Sequence, residues 1–440
     1  MKSIQVDFNK TFQEIDGFGV HGAFHQARNL RLYPDADRER ILDVLFSTQA
    51  DGAGFSIIRN IIGDSGVWGN DKDGPTPSIE PNKGDIHYDG DEDQLWFMRE
   101  ARKRGCDRFV STAWSPPAWM KTTGEVANGG SLKAACYGDY AEYLARYVKI
   151  YKQHHGIEIY AISPSNEPDL KIHYSSCVWS GDQFADFYKN YLAPVFKREN
   201  ITAKIFGPEL TRFGNSVLEN YSAFLLDKEA ASVLDILALH GYGDSVIEKP
   251  DEKYSQGKKV WMSEICEIGS EKPVELDPSM QDGLVVAKRV HDYLAAAEVS
   301  AFLFFWGISM YNNNSGLVGL HLDDMTYTIC KRAYTIGNFS RFVRPGSIRV
   351  EALPEGMDEV YATAYRGADN QAAVVVINTG ENDHSLSLEF SGAEPSRLAA
   401  YITDENRNLA LEEKIIPVKN GKADVSVKAR SVVTFAGEFK

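Results

Sequence analysis

Eight short runs of apolar, often β-branched residues alternate with helical spacing as far as Phe342, which predicts an α/β fold built on a (β/α)₈ barrel. After Arg344-Pro345-Gly346 the texture changes to short strands broken by Gly, Asn and Asp turns, which predicts a side β-sandwich. Length agrees with both, because 440 residues exceed one ordinary core and suffice for a large barrel plus a smaller domain. The strands before Gly17 have no place in the barrel, so they are assigned to the sandwich. The expected division is 17–342 for the barrel, and 1–16 with 343–440 for the side domain.

Residues 3–16 carry apolar positions at Val6, Phe8, Phe12 and Ile15 and read as one or two strands. Gly17-Phe18-Gly19-Val20-His21-Gly22 is the expected first barrel strand, its glycines permitting close backbone packing. Strands two to eight are expected at 54–62, 108–114, 157–163, 203–209, 236–242, 259–265 and 301–307. The apolar spacing predicts helices over 37–48, 91–104, 137–154, 183–199, 216–227, 282–297 and 326–342, with only a weak pattern between strands six and seven. In the tail, strands are expected near 360–361, 373–377, 386–390, 399–402, 416–418 and 432–435, paired antiparallel.

A formal net charge of -15 argues against nucleic acid and anionic membranes, which need basic patches, and suits a neutral substrate. No run approaches the roughly 20 apolar residues that span a bilayer, so no membrane insertion is expected. Met1 to Asp7 alternates like a strand without an apolar h-region, so no signal peptide is expected. The protein is then cytoplasmic, or secreted with its leader removed. The cysteines (Cys106, Cys136, Cys177, Cys266, Cys330) lack CxxC spacing, and their odd number favours free thiols. Cys136 and Cys177 sit in loop-like contexts, where a pairing stays open. Nothing in the pattern gives an oligomeric state.

The chemistry gathers where the fourth strand runs into Ser165-Asn166-Glu167-Pro168-Asp169. Pro168 cannot donate to a sheet and biases Glu167 toward extended geometry, so the strand must end there. Glu264 ends strand seven in the same way. A barrel brings the C-terminal ends of its strands onto one rim, where active sites lie. Two carboxyl groups across a scissile bond are the machinery for hydrolysing a glycoside. One stays protonated as acid, the other ionised as nucleophile, and their repulsion splits the pKa values.

Asn166 is a candidate to bind a sugar 2-hydroxyl. Arg59, embedded in the apolar second strand, needs a carboxylate partner there; it is expected to fix the nucleophile, the alternative being to neutralise a buried acid. Trp114, Trp119, Tyr242 and Trp306 mark the same strand ends and are candidate platforms for apolar sugar faces, with His240 beside Tyr242. Pro116-Pro117 stiffens the loop between Trp114 and Trp119. The long polar loop 63–90 is expected on the same face, where it could close one end of a cleft.

Weaker signals carry no site. His21-x-x-x-His25 and His154-His155 lack the further ligands of a metal centre, and Asp71-x-Asp73-Gly74 continues unlike an EF-hand loop. Gly17-x-Gly19-x-x-Gly22 lacks a dinucleotide-binding context, and no serine or cysteine sits in a nucleophile elbow. Neither metal nor cofactor is expected. Two non-hydrolytic readings compete: a carbohydrate-binding protein without chemistry, and an aldolase-like barrel. The second wants a strand lysine near the rim, whereas Lys204 and Lys259 sit at strand starts.

At these residues the chain resembles glycoside hydrolase family 30. The likeness runs through Ile15-Asp16-Gly17-Phe18-Gly19, Gly54-Phe55-Ser56-Ile57-Ile58-Arg59, Trp114-Ser115-Pro116-Pro117-Ala118-Trp119-Met120-Lys121, Ser165 to Asp169, Trp261-Met262-Ser263-Glu264 and Ser340 to Gly346. The resemblance implies retaining hydrolysis by double displacement, with Glu167 as acid/base and Glu264 as nucleophile. It also implies a side sandwich built from both termini. The Trp114–Lys121 segment, Asn128-Gly129-Gly130 and Tyr174-Ser175-Ser176 are most similar to the xylanase branches, which adds Tyr174 to the binding candidates. The implied substrate is β-1,4-xylan or its oligosaccharides, cut as by a xylanase or xylobiohydrolase; β-1,6-glucan, β-1,6-galactan or another exo-β-glycosidase substrate is the alternative. Glucuronoxylan-specific members carry an arginine after strand eight that grips the glucuronate group. This chain reads Trp306 to Asn313 without one, which argues against glucuronate dependence.

Overall fold

The computed structural model describes residues 2–67, 74–266, 275–368 and 370–439. The chain opens with β1 (Lys2–Glu14) and then enters a barrel of β2 (Gly17–His21), β3 (Ile57–Ile62), β4 (Arg108–Ala113), β5 (Ile159–Ser163), β6 (Lys204–Leu210), β7 (Ile236–His240), β8 (Lys259–Glu264) and β9 (Ala301–Ser309). These eight strands pair in parallel in chain order, and β9 closes the ring against both β8 and β2. Inside, Ile57, Val110, Phe206, Trp261 and Leu303 fill the ring as a packed core. Asp16 plugs the N-terminal end, accepting from Trp261 Nε1 at 2.9 Å and from Lys259 Nζ at 2.7 Å. Chemistry is thereby confined to the opposite rim.

The helices are sharper or shorter than expected. Tyr137–His155 ends on Gly156, whose φ of 66° supplies the left-handed cap. The expected helix over 183–199 holds as Gly181–Phe187 and Ala193–Arg198, joined by a π-helical turn at Tyr188–Leu192. The one over 216–227 breaks into Asn215–Glu219, Ser222–Leu225 and Lys228–Val233. Between β7 and β8 only the single turn Glu252–Ser255 forms.

One expected helix is wrong in its first half. Thr326–Ile329 is a strand, β11, paired antiparallel with β10 (Gly316–His321), and the helix begins at Lys331. Its β-branched and aromatic residues favour the pleated state. β10 continues the parallel sheet from the end of β9 and so extends one side of the rim.

The second sheet holds β1 together with β12 (Ile348–Glu355), β13 (Val360–Arg366), β14 (Gln371–Asn378), β15 (His384–Ser391), β16 (Pro395–Thr403), β17 (Ala410–Leu411), β18 (Ile416–Pro417), β19 (Lys422–Val427) and β20 (Ser431–Phe439). It curls around its own apolar core, in which Val6, Val374, Leu388, Val425 and Phe435 are buried. β12, β17 and β19 were not expected, although β19 alternates exposed and buried residues throughout. One pairing departs from the antiparallel expectation: β1 lies parallel to β15 while pairing antiparallel with β12. No hairpin joins β1 to β15, so no tight turn fixes their relative direction. Asn338, on the helix Lys331–Ser340, donates to Tyr401 O and Thr434 Oγ1 and ties the sheet to the barrel.

Cys136 and Cys177 are not joined by a disulfide. Among the described residues no helix is long and apolar enough to cross a membrane. Asp71 and Asp73 lie outside the described residues.

Closure of the ring requires β2 to approach both neighbours closely. A Cβ at Gly19 would meet Ile57 O at 2.7 Å and Ile57 Cβ at 2.8 Å. Gly19→Val should therefore destabilise the protein by about 1–3 kcal/mol, read as a lowered urea midpoint at unchanged slope. An unaltered midpoint would contradict this packing.

Candidate active site

The C-terminal rim is built from irregular strand ends. Three pairings slip by one residue there, leaving Glu209 of β6, Ser263 of β8 and Phe305 of β9 as bulged residues. Bulges re-aim side chains, and they recur beside functional sites. Glu167 is not extended, as the proline after it suggested, but left-handed at φ 45°. Its N–H bonds to Glu209 O at 2.9 Å, and this long-range contact overrides the local bias.

At the centre of the rim lies the guanidinium of Arg59, fully buried. Its Nη1 donates to Glu264 Oε2 at 2.7 Å, Nη2 to Asn166 Oδ1 at 2.8 Å, and Nε to Thr112 Oγ1 at 3.0 Å. Nη2 also forms an ion pair with Glu209 Oε1 at 2.8 Å. Arg59 thus touches Glu264 and pairs with a second buried acid, Glu209.

Two histidines complete the base of the site. His21 Nε2 lies 3.0 Å from the carbonyl of Ser263, to which it donates, so Nδ1 accepts from Arg59 Nη1 at 3.1 Å. Burial, then the Arg59 charge, hold this imidazole well below its ordinary pKa, and it is neutral. His240 Nδ1 lies 3.2 Å from Glu167 Oε1. Burial alone would depress His240, but the carboxylates of Glu264, Glu167 and Glu209 outweigh it and raise the group to about 9.

Glu264 also accepts from Tyr242 Oη at 3.0 Å. Burial pushes its carboxyl up, against the pull of His240 and Arg59, and the charge of Glu167 adds to the rise. Burial raises the Tyr242 phenol well above its ordinary value, so it stays a donor. For Glu209 burial is outweighed, because Arg59 and His240 hold its carboxyl below the ordinary range.

One oxygen each from Glu167 and Glu264 and a ring nitrogen of His240 lie within 4.8 Å of one another. That spacing alone would admit a cation, but the guanidinium already supplies the positive charge. Glu167 and Glu264 reach an open cleft of about 550 Å³, while Arg59 and Glu209 lie beneath its floor.

The cleft walls are aromatic. Trp114, Tyr174, Tyr242 and Trp306 line it as expected, joined by Phe305 and Tyr311. Trp306 stacks on Tyr311 at 5.4 Å between ring centroids, and Trp114 covers the Arg59 guanidinium at 4.6 Å. Lys121 holds two of the wall loops together, donating to Ser115 Oγ at 3.1 Å and to Ser176 O at 2.6 Å.

Three expected binding residues do not line the cleft. Asn166 and His240 are buried under the carboxylates, and Trp119 points elsewhere, donating to Glu80 O at 3.2 Å. Closeness in sequence to Trp114 does not become closeness in space, because a 3₁₀ turn at Ala118–Met120 redirects the chain. None of the described lining residues comes from 63–90. Sequence reasoning missed Glu209 and set His21 aside as a weak metal signal. Glu209 shares its strand-end position with Glu167 and Glu264, which was the available signal.

A closed (β/α)₈ barrel with this cleft belongs to a glycoside hydrolase, and the chain matches the model described as glycosyl hydrolase family 59 over residues 15–318. The model of the glycosyl hydrolase family 30 beta sandwich domain matches residues 346–435. The chain is 28% identical to glucuronoxylanase XynC of Bacillus subtilis (strain 168), covering 80% of this chain and 79% of that one. The catalytic domain of GH30 xylanase C from Talaromyces cellulolyticus superposes with a TM-score of 0.85 at 28% identity, covering 100% of both chains. The family 30 subfamily 8 xylanase Xyn30A from Clostridium acetobutylicum gives 0.80 at 28% identity over 99% of each. By its barrel the chain belongs to glycosyl hydrolase family 59, and its sandwich and these relatives set the whole chain in glycoside hydrolase family 30.

Arg59 sets the charge balance of this rim. Its replacement by methionine leaves Glu209 and Glu264 without their cation, and Arg59→Met should cost about 3–5 kcal/mol of stability by denaturant titration. A variant as stable as the parent would show that the carboxylates do not depend on it.

Proposed function

We propose that this chain is a retaining β-glycosidase that cleaves β-1,4-xylan or its oligosaccharides, with Glu264 as nucleophile and Glu167 as acid/base. The observation that carries the assignment is the asymmetry of donors. Glu264 receives a guanidinium and a phenol, which suit an anion, while Glu167 faces the cleft with His240 beside it. Their separation, within 4.8 Å at the nearer oxygens, fits the about 5–5.5 Å between carboxyl groups in retaining enzymes and falls short of the about 6.5–9.5 Å of inverting ones.

In the first step Glu264 attacks the anomeric carbon while Glu167 gives its proton to the departing glycosidic oxygen, leaving a glycosyl ester on Glu264. In the second, Glu167 takes a proton from water, whose oxygen displaces Glu264. Aromatic walls carry the sugar rings through their C–H faces. Xylan as substrate is supported by the xylanases and the glucuronoxylanase this chain is similar to. Among the described lining residues there is no arginine or lysine, so the reading is of an unsubstituted xylan backbone rather than a glucuronate-anchored one.

Glu264→Ala should abolish turnover. Glu167→Ala should lose about 10²–10⁴-fold on xylo-oligosaccharides yet retain reaction with activated aryl glycosides, whose leaving groups need little protonation. Side by side, unsubstituted xylan should be cut as well as glucuronoxylan. Activity confined to glucuronoxylan, to β-1,6-glucan or to β-1,6-galactan would overturn the substrate, and ordinary turnover by Glu264→Ala would overturn the mechanism.

A further inference from the structure

The rim holds a third carboxylate with no part in the two steps above. Glu209 is the extra residue of the β6 bulge: Pro208 pairs with Ala238 and Leu210 with Leu239, and Glu209 between them is left-handed at φ 58°. Such backbone at a non-glycine residue costs about 1–3 kcal/mol and persists only where its surroundings enforce it. Here it turns the carboxylate under the cleft floor, fully buried. Oε1 lies 2.8 Å from Arg59 Nη2 and 3.6 Å from His240 Nε2, and Oε2 accepts from Thr112 Oγ1 at 2.8 Å.

The other nitrogen of His240 lies 3.2 Å from Glu167 Oε1 and 3.9 Å from Glu264 Oε1. Both ring nitrogens therefore face carboxylate oxygens. Three carboxylates within 3.9 Å of one buried ring favour its charged form, so His240 is read as an imidazolium. An imidazolium facing Glu167 alone would favour the Glu167 anion and oppose proton donation. Glu209 supplies the opposing charge. With three carboxylates (Glu167, Glu209, Glu264) and two cations (Arg59, His240), one proton shared by Glu167 and Glu264 leaves the cluster neutral. The other titratable groups facing it are Tyr242, which donates to Glu264, Tyr174, which feels the Glu167 and Glu264 charges, Cys266 against Tyr242, Tyr188, which feels the Glu209 charge, and neutral His21 against Arg59.

We propose that Glu209 is a positioning residue whose buried negative charge offsets that of the His240 imidazolium and so lets Glu167 keep the proton it donates. This rests on the acid/base reading of Glu167. In Glu209→Gln the amide keeps the shape and the Thr112 contact but loses the charge. Both limbs of the kcat/KM–pH profile should then move acidward by about one unit, since removing a negative charge favours the anions that remain. At neutral pH, xylo-oligosaccharide cleavage should fall about tenfold more than cleavage of activated aryl glycosides. A uniform loss with unmoved limbs would overturn the proposal. Should the variant not fold, imidazole NMR of the parent decides, with His240 assigned by comparison with His240→Gln. A His240 protonated at pH 7 is expected, and a neutral one overturns the proposal. That measurement needs no turnover, so it stands apart from any failure of the xylanase reading.

Discussion

A permanent positive charge inside an apolar barrel must be matched, and at the rim of this one the match organises everything around it. The Arg59 guanidinium gathers Thr112 from β4, Asn166 from the segment after β5, Glu209 from β6 and Glu264 from β8. Each partner belongs to a different strand or strand end, so satisfying one buried charge fixes the relative heights of four elements. Single removal of a buried partner is costly, because the remaining charge stays out of water. The same demand makes the bulges intelligible: one extra residue per strand is what aims Glu209 inward at that height.

Above this charged floor the cleft is nearly neutral and flat-walled. The tyrosines and tryptophans offer large rigid surfaces at small entropic cost, which suits a substrate of repeated sugar rings. Their loops are held from behind by buried polar groups. Asp64, raised to about 6 by burial, accepts from Ser175 Oγ at 3.2 Å beside Tyr174, and Lys121 bridges Ser115 and Ser176. The described walls carry no lysine or arginine.

Much of this was legible in the residue order, and the misses have physical causes. Alternation of strand and helix patterns located all eight barrel strands, and Glu167 and Glu264 followed because parallel strands deliver their ends to one rim. Glu209 stood at the end of the expected fifth strand, but the one-residue bulge that turns it inward leaves no trace in an apolar run. Trp119 was placed by proximity to Trp114, yet direction within a tight turn is set by backbone angles that composition does not carry. The Thr326–Ile329 strand was absorbed into a neighbouring helix, although Thr-Tyr-Thr-Ile has the residue types of a strand and β10 waits to pair with it. Glu167 shows the converse: the bias from Pro168 was read correctly as local chemistry and then overruled by a tertiary hydrogen bond.

On the proposed mechanism a covalent bond to Glu264 separates two inversions at the anomeric carbon. Time-resolved proton NMR of xylo-oligosaccharide cleavage reads this at once, through the anomer first released at the new reducing end. Retention predicts that the β-anomer appears first and the α-anomer only later, by mutarotation. An α-anomer formed first would mean a single inversion by water, and the facing glutamates would then need another explanation.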